Sequence, residues 1–320
     1  MGSTMSNLQD FVFTNGSDVA TATDGWINNA GTINARAGND LITATGADRA
    51  ILNTNATLDT GSGNDTISGL GRVYGIVNNQ GGLISTGAGN DFIRGEATTV
   101  YDGILNTGYS TIDTGTGNDS IVGIGSDSGD GIYNGGCGGL ITTGSGNDEI
   151  IGRGGIYGIL NYFDAQITTG DGNDRVTGSS TRYDGIVNGP DCKIDTGNGN
   201  DVITGRGGGL AHDILNQGLI TTGNGNDIVD ALPFGFAGEG TVDLGNGNDQ
   251  LKGFGTGTFL GGRGIDVLTF NAGTYSIAAN MDGSFLIGGS MNVRDFERFG
   301  PGATTTDFMA AASAGSITFA

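Results

Sequence analysis

The sequence predicts an all-β protein, a right-handed parallel β-solenoid of the β-helix or β-roll type with about ten coils and a cap at each end. A Gly-x-Gly-Asn-Asp segment, as at residues 61–65, returns along most of the chain at a nearly constant spacing. Short β-branched runs separated by Gly and Asn lie between the copies, with no helical period. Because a repeat of this length cannot bury an apolar face alone, each coil has to stack on the next.

An aspartate ends every copy of the segment. Neighbouring aspartates are 25 to 29 residues apart over most of the chain, then 22 and 17 residues apart after Asp227. This shortening predicts that the last coils lose one strand. In a stack, these side chains form one column with neighbours about 4.8 Å apart. The ten residues are Asp40, Asp65, Asp91, Asp119, Asp148, Asp174, Asp201, Asp227, Asp249 and Asp266.

Three further columns recur once per coil. An isoleucine precedes the segment, a second apolar residue follows it, and an asparagine lies between the two. In register, the apolar columns build a core, and the asparagine amides hydrogen-bond to their copies above and below. The first column is Ile84, Ile112, Ile141, Ile167, Ile194 and Ile220; the second is Ile67, Ile93, Ile121, Ile150, Val176, Ile203 and Val229; the third is Asn28, Asn53, Asn78, Asn106, Asn134, Asn161, Asn188 and Asn216.

The two ends depart from the repeat and are interpreted as caps. Phe11 and Phe13 supply apolar bulk at the start, and an atypical end segment protects an open strand edge. Trp26 opens the first coil at the position where later coils have isoleucine. The predicted divisions are an N-terminal cap at 5–23, the solenoid at 24–270, a C-terminal cap at 271–303 and a tail at 304–320.

Variation in length is confined to the loop before the asparagine strand. Loops that absorb insertions lie together on one side of a stack, so this variable arc is the first place to look for recognition. Four tyrosines and the only histidine fall on it, and aromatic stacking between coils is the expected reason. They are Tyr74, Tyr101, Tyr157, Tyr183 and His212.

Composition excludes some partners. The net charge of −21 argues against a nucleic acid, because phosphate binding needs a basic surface. Cys137 and Cys192 lie two coils apart, about 9.6 Å along the stack and beyond reach of a disulfide, so two free thiols are expected. No stretch has the length of a transmembrane segment, and no cleaved signal peptide is recognisable at the start.

The aspartate column predicts a cation. Carboxylates at such spacing repel one another, and calcium accepts six to eight hard oxygen ligands. Ten corners leave about nine sites between them, and nine Ca²⁺ ions would nearly balance the net charge. The candidate ligands are the ten aspartates together with the backbone carbonyls of Gly61, Gly63, Gly87, Gly89, Gly115, Gly117, Gly144, Gly146, Gly170, Gly172, Gly197, Gly199, Gly223, Gly225, Gly245 and Gly247.

Each corner continues as x-Ile-x-Gly or a close variant, as in residues 65–69, and so resembles the RTX (hemolysin-type) calcium-binding nonapeptide. The resemblance implies folding on extracellular calcium, export by a type I secretion system and an uncleaved C-terminal signal, for which the tail at 304–320 is the candidate. It departs from the family in coil length, since most coils here carry one calcium corner plus an extra strand. Calcium is therefore expected on one edge of the stack.

The leading functional hypothesis is a secreted, calcium-folded protein with a structural, adhesive or self-assembly role. Calcium is its expected ligand, and extracellular polysaccharide, matrix or further copies of the chain are possible partners. One alternative is an enzyme or enzyme module, a polysaccharide lyase or epimerase or a natural-product enzyme, for which His212 and Asp213 are the candidate catalytic residues. A second alternative is binding to ice or a crystal face, although only Thr116 supplies threonine in the outward column of the corners.

Overall fold

The computed structural model describes residues 4–7, 11–209, 211–300 and 306–319. Its architecture is the predicted all-β parallel solenoid, with about nine turns of 26-residue coils. The ten repeat aspartates have nine intervals between them, and this number agrees with the number of turns in the structure. The division into caps, solenoid and tail stays a prediction.

Each coil contributes strands to three parallel ladders. The first ladder follows the glycine corner, the second carries the asparagine column, and the third leads into the next corner. Strands Val19–Asn29 and Leu41–Thr54 run through the first and second ladders without a break, which joins both into one 21-stranded sheet. The third ladder lies in a separate 14-stranded sheet.

The other strands are short and follow the repeat. The first ladder continues with Thr66–Gly71, Phe92–Ala97, Ser120–Ile124, Glu149–Gly154, Arg175–Ser180, Val202–Arg206, Ile228–Asp230, Gln250–Lys252, Val267–Thr269 and Arg298–Phe299. The second contains Thr4–Asn7, Tyr74–Asn79, Ile104–Thr107, Ile132–Gly135, Ile159–Asn161, Ile186–Asn188, Ile214–Asn216 and Phe236–Ala237. The third contains Thr32–Asn34, Thr57–Asp59, Leu83–Ser85, Thr111–Asp113, Leu140–Thr142, Gln166–Thr168, Lys193–Asp195, Leu219–Thr221, Thr241–Asp243, Gly257–Leu260 and Met291–Arg294. Asn246–Gly247 pairs with Arg263–Gly264 at the corner itself.

The core is built from columns of identical side chains in register. Ile84 pairs with Ile112 and Ile112 with Ile141, and both predicted apolar columns are fully buried throughout. A third column, which includes Ile76 and Ile104, lines the second ladder and is equally buried. Apolar packing therefore runs the length of the stack, and each layer contacts mainly the next.

The asparagine column is a buried amide ladder, as predicted, with one correction at its start. Nδ2 of Asn53 donates to Oδ1 of Asn78 at 2.7 Å, and the same bond repeats up to Asn216. The first member is Asn29 and not Asn28, since Asn29 is the residue in register with Asn53. The prediction for Trp26 was wrong by the same one-residue slip, because Ile27 occupies the isoleucine position.

Both ends of the stack are covered. At the start, Thr4–Asn7 adds a parallel strand to Val19–Asn29, while Phe11 and Phe13 pack against the core. At the other end, Gly273–Ala279, Phe285–Ile287 and Met291–Arg294 form an antiparallel meander. The tail packs onto this meander through the helix Phe308–Ala314 and the strand Ser316–Phe319, the latter pairing with Gly273–Ala279. The short strand Thr306–Asp307 pairs antiparallel with Arg298–Phe299.

The tyrosines of the variable arc stack between coils, and both cysteines are free thiols, as predicted. Tyr74 and Tyr101 stack with ring centroids 5.2 Å apart and planes 13° apart, and Tyr157 and Tyr183 pair at 5.9 Å. Both cysteines are free thiols, Cys137 exposed and Cys192 buried. Within the described residues, no helix combines the length and the apolar composition that a membrane crossing requires.

Candidate metal centre

The corner before each repeat aspartate from Asp65 onward depends on two glycines with positive φ, whereas the corner before Asp40 has Arg36 at the first of these positions. At the corner of Asp91, φ is 89° at Gly87 and 148° at Gly89. A Cβ added at Gly89 would lie 1.7 Å from the carbonyl oxygen of Gly63 in the preceding coil. The equivalent distance is 1.3 to 1.7 Å at the second glycine of every corner from Gly63 onward. Only glycine lets the coils stack this closely, and the second-glycine carbonyls consequently line up along the stack.

The repeat aspartates form one buried column at these corners. All ten are at most 2 % exposed. Oδ1 of each accepts the backbone N–H of the aspartate position one coil earlier, at 2.7 to 2.9 Å. This bond satisfies a main-chain donor that the tight corner leaves outside the ladders, so half of each carboxylate has a structural role.

The second carboxylate oxygen has no such role. Twelve buried side-chain nitrogen or oxygen atoms lack a hydrogen-bond partner among the described residues, and ten of them are Oδ2 of the repeat aspartates. Buried polar atoms without partners are rare in folded proteins and costly when charged. Buried oxygens without hydrogen-bond partners are therefore concentrated in the aspartate column, one at every corner.

Burial raises the pKa of most of these carboxyls. The pKa rises to about 6 at Asp91, Asp119, Asp148, Asp227 and Asp266, and to about 7 at Asp201 and Asp249. Hydrogen bonds from the backbone N–H of the preceding rung oppose the rise, as does a nearby threonine hydroxyl at Asp91 and Asp119. Negative charge on neighbouring carboxylates adds to the rise at most positions. The column holds its protons more tightly than ordinary aspartates do.

The two glycine carbonyls of a corner differ. The first accepts a main-chain bond from the next coil, as Gly61 does from the N–H of Ala88 at 3.0 Å. The second, as at Gly63 and Gly89, receives no backbone hydrogen bond among the described residues. Of the predicted carbonyl ligands, the second glycine of each corner is thus the freer oxygen.

An exposed asparagine column runs beside the buried aspartates. Oδ1 of Asn39 accepts the N–H of Asn64 at 2.8 Å, and this bond repeats up to Asn248, which accepts from Ile265. Asparagine side chains thus bind the following coil, whereas aspartate side chains bind the preceding one. Every corner is tied to both of its neighbours.

Sequence reasoning missed the residues that end the column. Oδ1 of Asp40 accepts the N–H of Asp18, and the N–H of Asp266 is bound by Oε2 of Glu297 at 2.8 Å. Neither residue follows a Gly-x-Gly pair. The only signal in the sequence is an acidic residue two positions before a buried apolar one, Ala20 or Phe299.

A second pair of acids on the variable arc, the half-buried Asp102 and the buried Asp130, was also missed. Oδ1 of Asp102 accepts the N–H of Asp130 at 2.9 Å, and Oδ1 of Asp130 accepts that of Tyr157 at 3.0 Å. Burial raises the pKa of Asp102 to about 6; burial and then the nearby Asp102 raise that of Asp130 to about 7. These carboxyls hold loop backbone in place.

The two candidate catalytic residues face different partners. Asp213 is fully buried, and its two oxygens accept the N–H groups of Gly207 at 2.7 Å and Phe234 at 2.6 Å. His212 is exposed, with Nδ1 3.4 Å from Oδ1 of Asp184. The deviation from glycine at position 213 thus has a structural explanation, since its carboxylate ties two loops together.

A metal at the corners would need main-chain oxygens. No three His, Cys, Asp or Glu side chains of the described residues converge into a group that could hold a metal ion. Each corner offers one free carboxylate oxygen and one free carbonyl oxygen in a repeating arrangement. Hard oxygen donors of this kind suit calcium, and the absence of nitrogen and sulfur donors there does not suit zinc.

Among known proteins, the chain is similar to a solved structure but matches no family model. No family model matches the chain, and no curated protein matches it. Among solved structures, the chain is similar to a hyperactive, Ca²⁺-dependent, β-helical antifreeze protein from an Antarctic bacterium. The sequence identity is 20 % and the TM-score 0.40, over 81 % of this chain and 88 % of that one.

Proposed function

We propose that this chain is a calcium-binding β-solenoid that folds on calcium and has a structural, adhesive or self-assembly role outside the cell. The observation that carries the proposal is the column of ten buried Oδ2 atoms without hydrogen-bond partners. Ionising a carboxyl whose pKa is raised from 3.8 to about 6 costs about 3 kcal/mol at pH 7. The same kind of cost recurs along the column, so without a counter-charge the ionised aspartates oppose folding of the stack.

Calcium would remove this cost because its charge replaces the missing partners. It tolerates irregular oxygen cages completed by water, which the corner supplies through Oδ2 and the second-glycine carbonyl. Magnesium demands a near-octahedral arrangement and gives up its water reluctantly, so it fits less well. The proposed ligands are the ten repeat aspartates and the second-glycine carbonyls, on one edge of the stack.

Membership of the RTX class, and with it type I export and an extracellular location, belongs to this proposal. Its support is the corner sequence and the buried aspartate column. The structural or adhesive role is supported by the side chain of Asp213, because in the candidate His-Asp pair this carboxylate already accepts two loop N–H groups.

A calcium titration of the chelated protein tests the proposal. We expect β-structure, followed by circular dichroism at pH 7.5, to appear cooperatively as calcium is added. Elemental analysis at saturation should find several bound ions, up to about nine. Magnesium at the same concentration is the control and should leave the chain largely unfolded. A chain that stays folded after chelation, or binds no calcium, would refute the proposal.

A second candidate, binding to a crystalline surface, is favoured by one observation. In the later coils the outward corner residues are also locked together: Asn224 donates to Asn198 at 2.5 Å and Asn246 to Asn224 at 2.7 Å. Together with the exposed asparagine column from Asn39 to Asn248, they form a pre-ordered array of exposed amides. Adsorption to ice and to crystalline polysaccharide, compared between the native chain and Asn224→Lys, would test this role; equal adsorption would exclude this face.

A further inference from the structure

The two ends of the aspartate column are finished in different ways. At the N-terminal end, Asp18 is already satisfied, since Oδ2 accepts the N–H of Thr14 at 2.6 Å and Oδ1 lies 3.3 Å from its hydroxyl. At the C-terminal end, Oδ2 of Asp266 is fully buried and has no hydrogen-bond partner in the part of the chain that the structure describes. The flanking rung thus differs between the ends, because the carboxylate of Asp18 is occupied within its own loop by Thr14.

Glu297 occupies the rung above Asp266. Val267 pairs with Arg298, so Glu297 is the register equivalent of the repeat aspartate, and its Oε2 accepts the N–H of Asp266 at 2.8 Å. The path to this rung is shorter than in any coil. Arg294 pairs with Leu260, so only two residues of the cap span the distance that residues 261–265 span below it. The cap has an acidic rung but no glycine corner.

The shortened path brings a main-chain oxygen to the free carboxylate. Most earlier coils have a buried threonine just before the corner, whereas the last coil has Gly261. A Cβ at Gly261 would lie 1.9 Å from the carbonyl oxygen of Asp295 and 2.9 Å from Oδ2 of Asp266. The two oxygens are therefore no more than about 4.8 Å apart, a span that one calcium ion can bridge with bonds of about 2.4 Å.

We propose that a calcium ion bound by Oδ2 of Asp266, the carbonyl oxygen of Asp295 and the carboxylate of Glu297 fastens the C-terminal cap to the last coil. This proposal rests on the proposed function, in which the repeat aspartates bind calcium, and adds a site outside the repeat. Its ligands come from both the last coil and the cap. Docking of residues 273–300 and 306–319 thereby becomes calcium-dependent.

The decisive variant is Glu297→Gln, which keeps an oxygen acceptor for the N–H of Asp266 and removes the charge. We expect it to bind one calcium ion fewer than the native protein at saturation. Amide exchange in residues 273–319 should speed up by at least tenfold, while exchange in the coils below Asp249 stays unchanged. Glu239→Gln is the matched control, because it makes the same change at an exposed side chain away from this site; it should keep the native ion count.

Glu297→Asp retains the charge on a shorter arm and should recover the ion with weaker affinity. An unchanged ion count and unchanged cap exchange in Glu297→Gln would overturn the terminal site. Failure of the broader calcium proposal would look different, because the native protein itself would then bind no calcium.

Discussion

At Asp148, the two oxygens of one carboxylate have opposite surroundings. Oδ1 accepts the N–H of Asp119 at 2.8 Å, and Oδ2 is buried without a partner. Asparagine at this position would keep the first bond and resemble the protonated acid. The residue therefore separates two ways of neutralising the column, by a cation or by a proton.

We expect Asp148→Asn to bind at least one calcium ion fewer and to melt at a lower temperature in calcium, because a charged ligand is lost. In chelator at pH 7, its folded fraction should be at least that of the native chain, because a buried charge is removed. Elemental analysis and thermal melts in both conditions provide the readouts. Asp171→Asn, an exposed change on the same corner face, is the control; identical behaviour of the two variants would argue against a cation at Oδ2.

Glycine at the second corner position is required for packing as well as for backbone angle. Gly89→Ala should destabilise the protein by roughly 3 kcal/mol or more, because its Cβ would meet the Gly63 carbonyl at 1.7 Å. Gly81 also has positive φ, but no atom lies within 4 Å of a Cβ added there. Gly81→Ala should therefore lower the free energy of unfolding by only about 1 kcal/mol. Urea unfolding in saturating calcium measures both, and equal losses would mean that the coils can separate to accept a side chain.

At the level of elements, the asparagine ladder ties the second and third ladders of strands together. Nδ2 of Asn134 lies within bonding distance of Oδ1 of Asn161, the carbonyl of Gly139 and the carbonyl of Gln166, at 2.9 to 3.1 Å. The amide thus bridges two strands of its own coil to the next coil. Removing one member leaves several buried polar groups without partners.

Asn134→Leu should therefore cost about 3 kcal/mol or more, since each unpaired buried group costs about 1–3 kcal/mol. Gln166→Leu makes the same amide-to-leucine change at an exposed site and should cost less than about 1 kcal/mol. The free energy of unfolding in saturating calcium distinguishes them. A loss at Asn134 no larger than at Gln166 would show that the buried amides are replaceable by apolar packing.

The sequence predicts the repeated columns correctly, whereas predictions at the two ends of the stack were wrong or incomplete. The Asp column and the two isoleucine columns were predictable because identical residues at a fixed spacing share one face of a stack. Asn28 was assigned in place of Asn29 because the pairing of Val19–Asn29 contains register shifts that no local pattern reveals. Glu297 was missed because only strand register, set by the folded cap, brings it above Asp266.

At the level of the whole molecule, the raised pKa values couple folding to pH. These carboxyls bind protons more tightly in the folded chain than in the unfolded chain, where the ordinary value is 3.8. Their contribution to stability is therefore fully present below about pH 4 and is lost as the pH rises through 6 to 7. The stabilisation by calcium should instead increase as the pH rises, because calcium binds the carboxylates once their protons have dissociated.

We accordingly expect the folded fraction of the chelated protein to be higher at pH 5 than at pH 7.5. The stabilisation that saturating calcium adds should grow over the same interval. Circular dichroism at a series of pH values, with and without chelator, measures the folded fraction, and urea titrations of the calcium-loaded protein measure its stability. A metal-free folded fraction that increases from pH 5 to pH 7.5 would contradict the raised pKa values of the column.

The double set of corner bonds, aspartate to the coil before and asparagine to the coil after, also determines how the molecule responds to force. Each coil is held by its two neighbours, so tension applied at the ends loads the terminal coils first. A coil that detaches releases about 26 residues, or roughly 90 Å of extended chain. The next coil then becomes the terminal one. Such a molecule should lengthen coil by coil, in shorter steps at the short C-terminal coils, and dissipate mechanical work at each step.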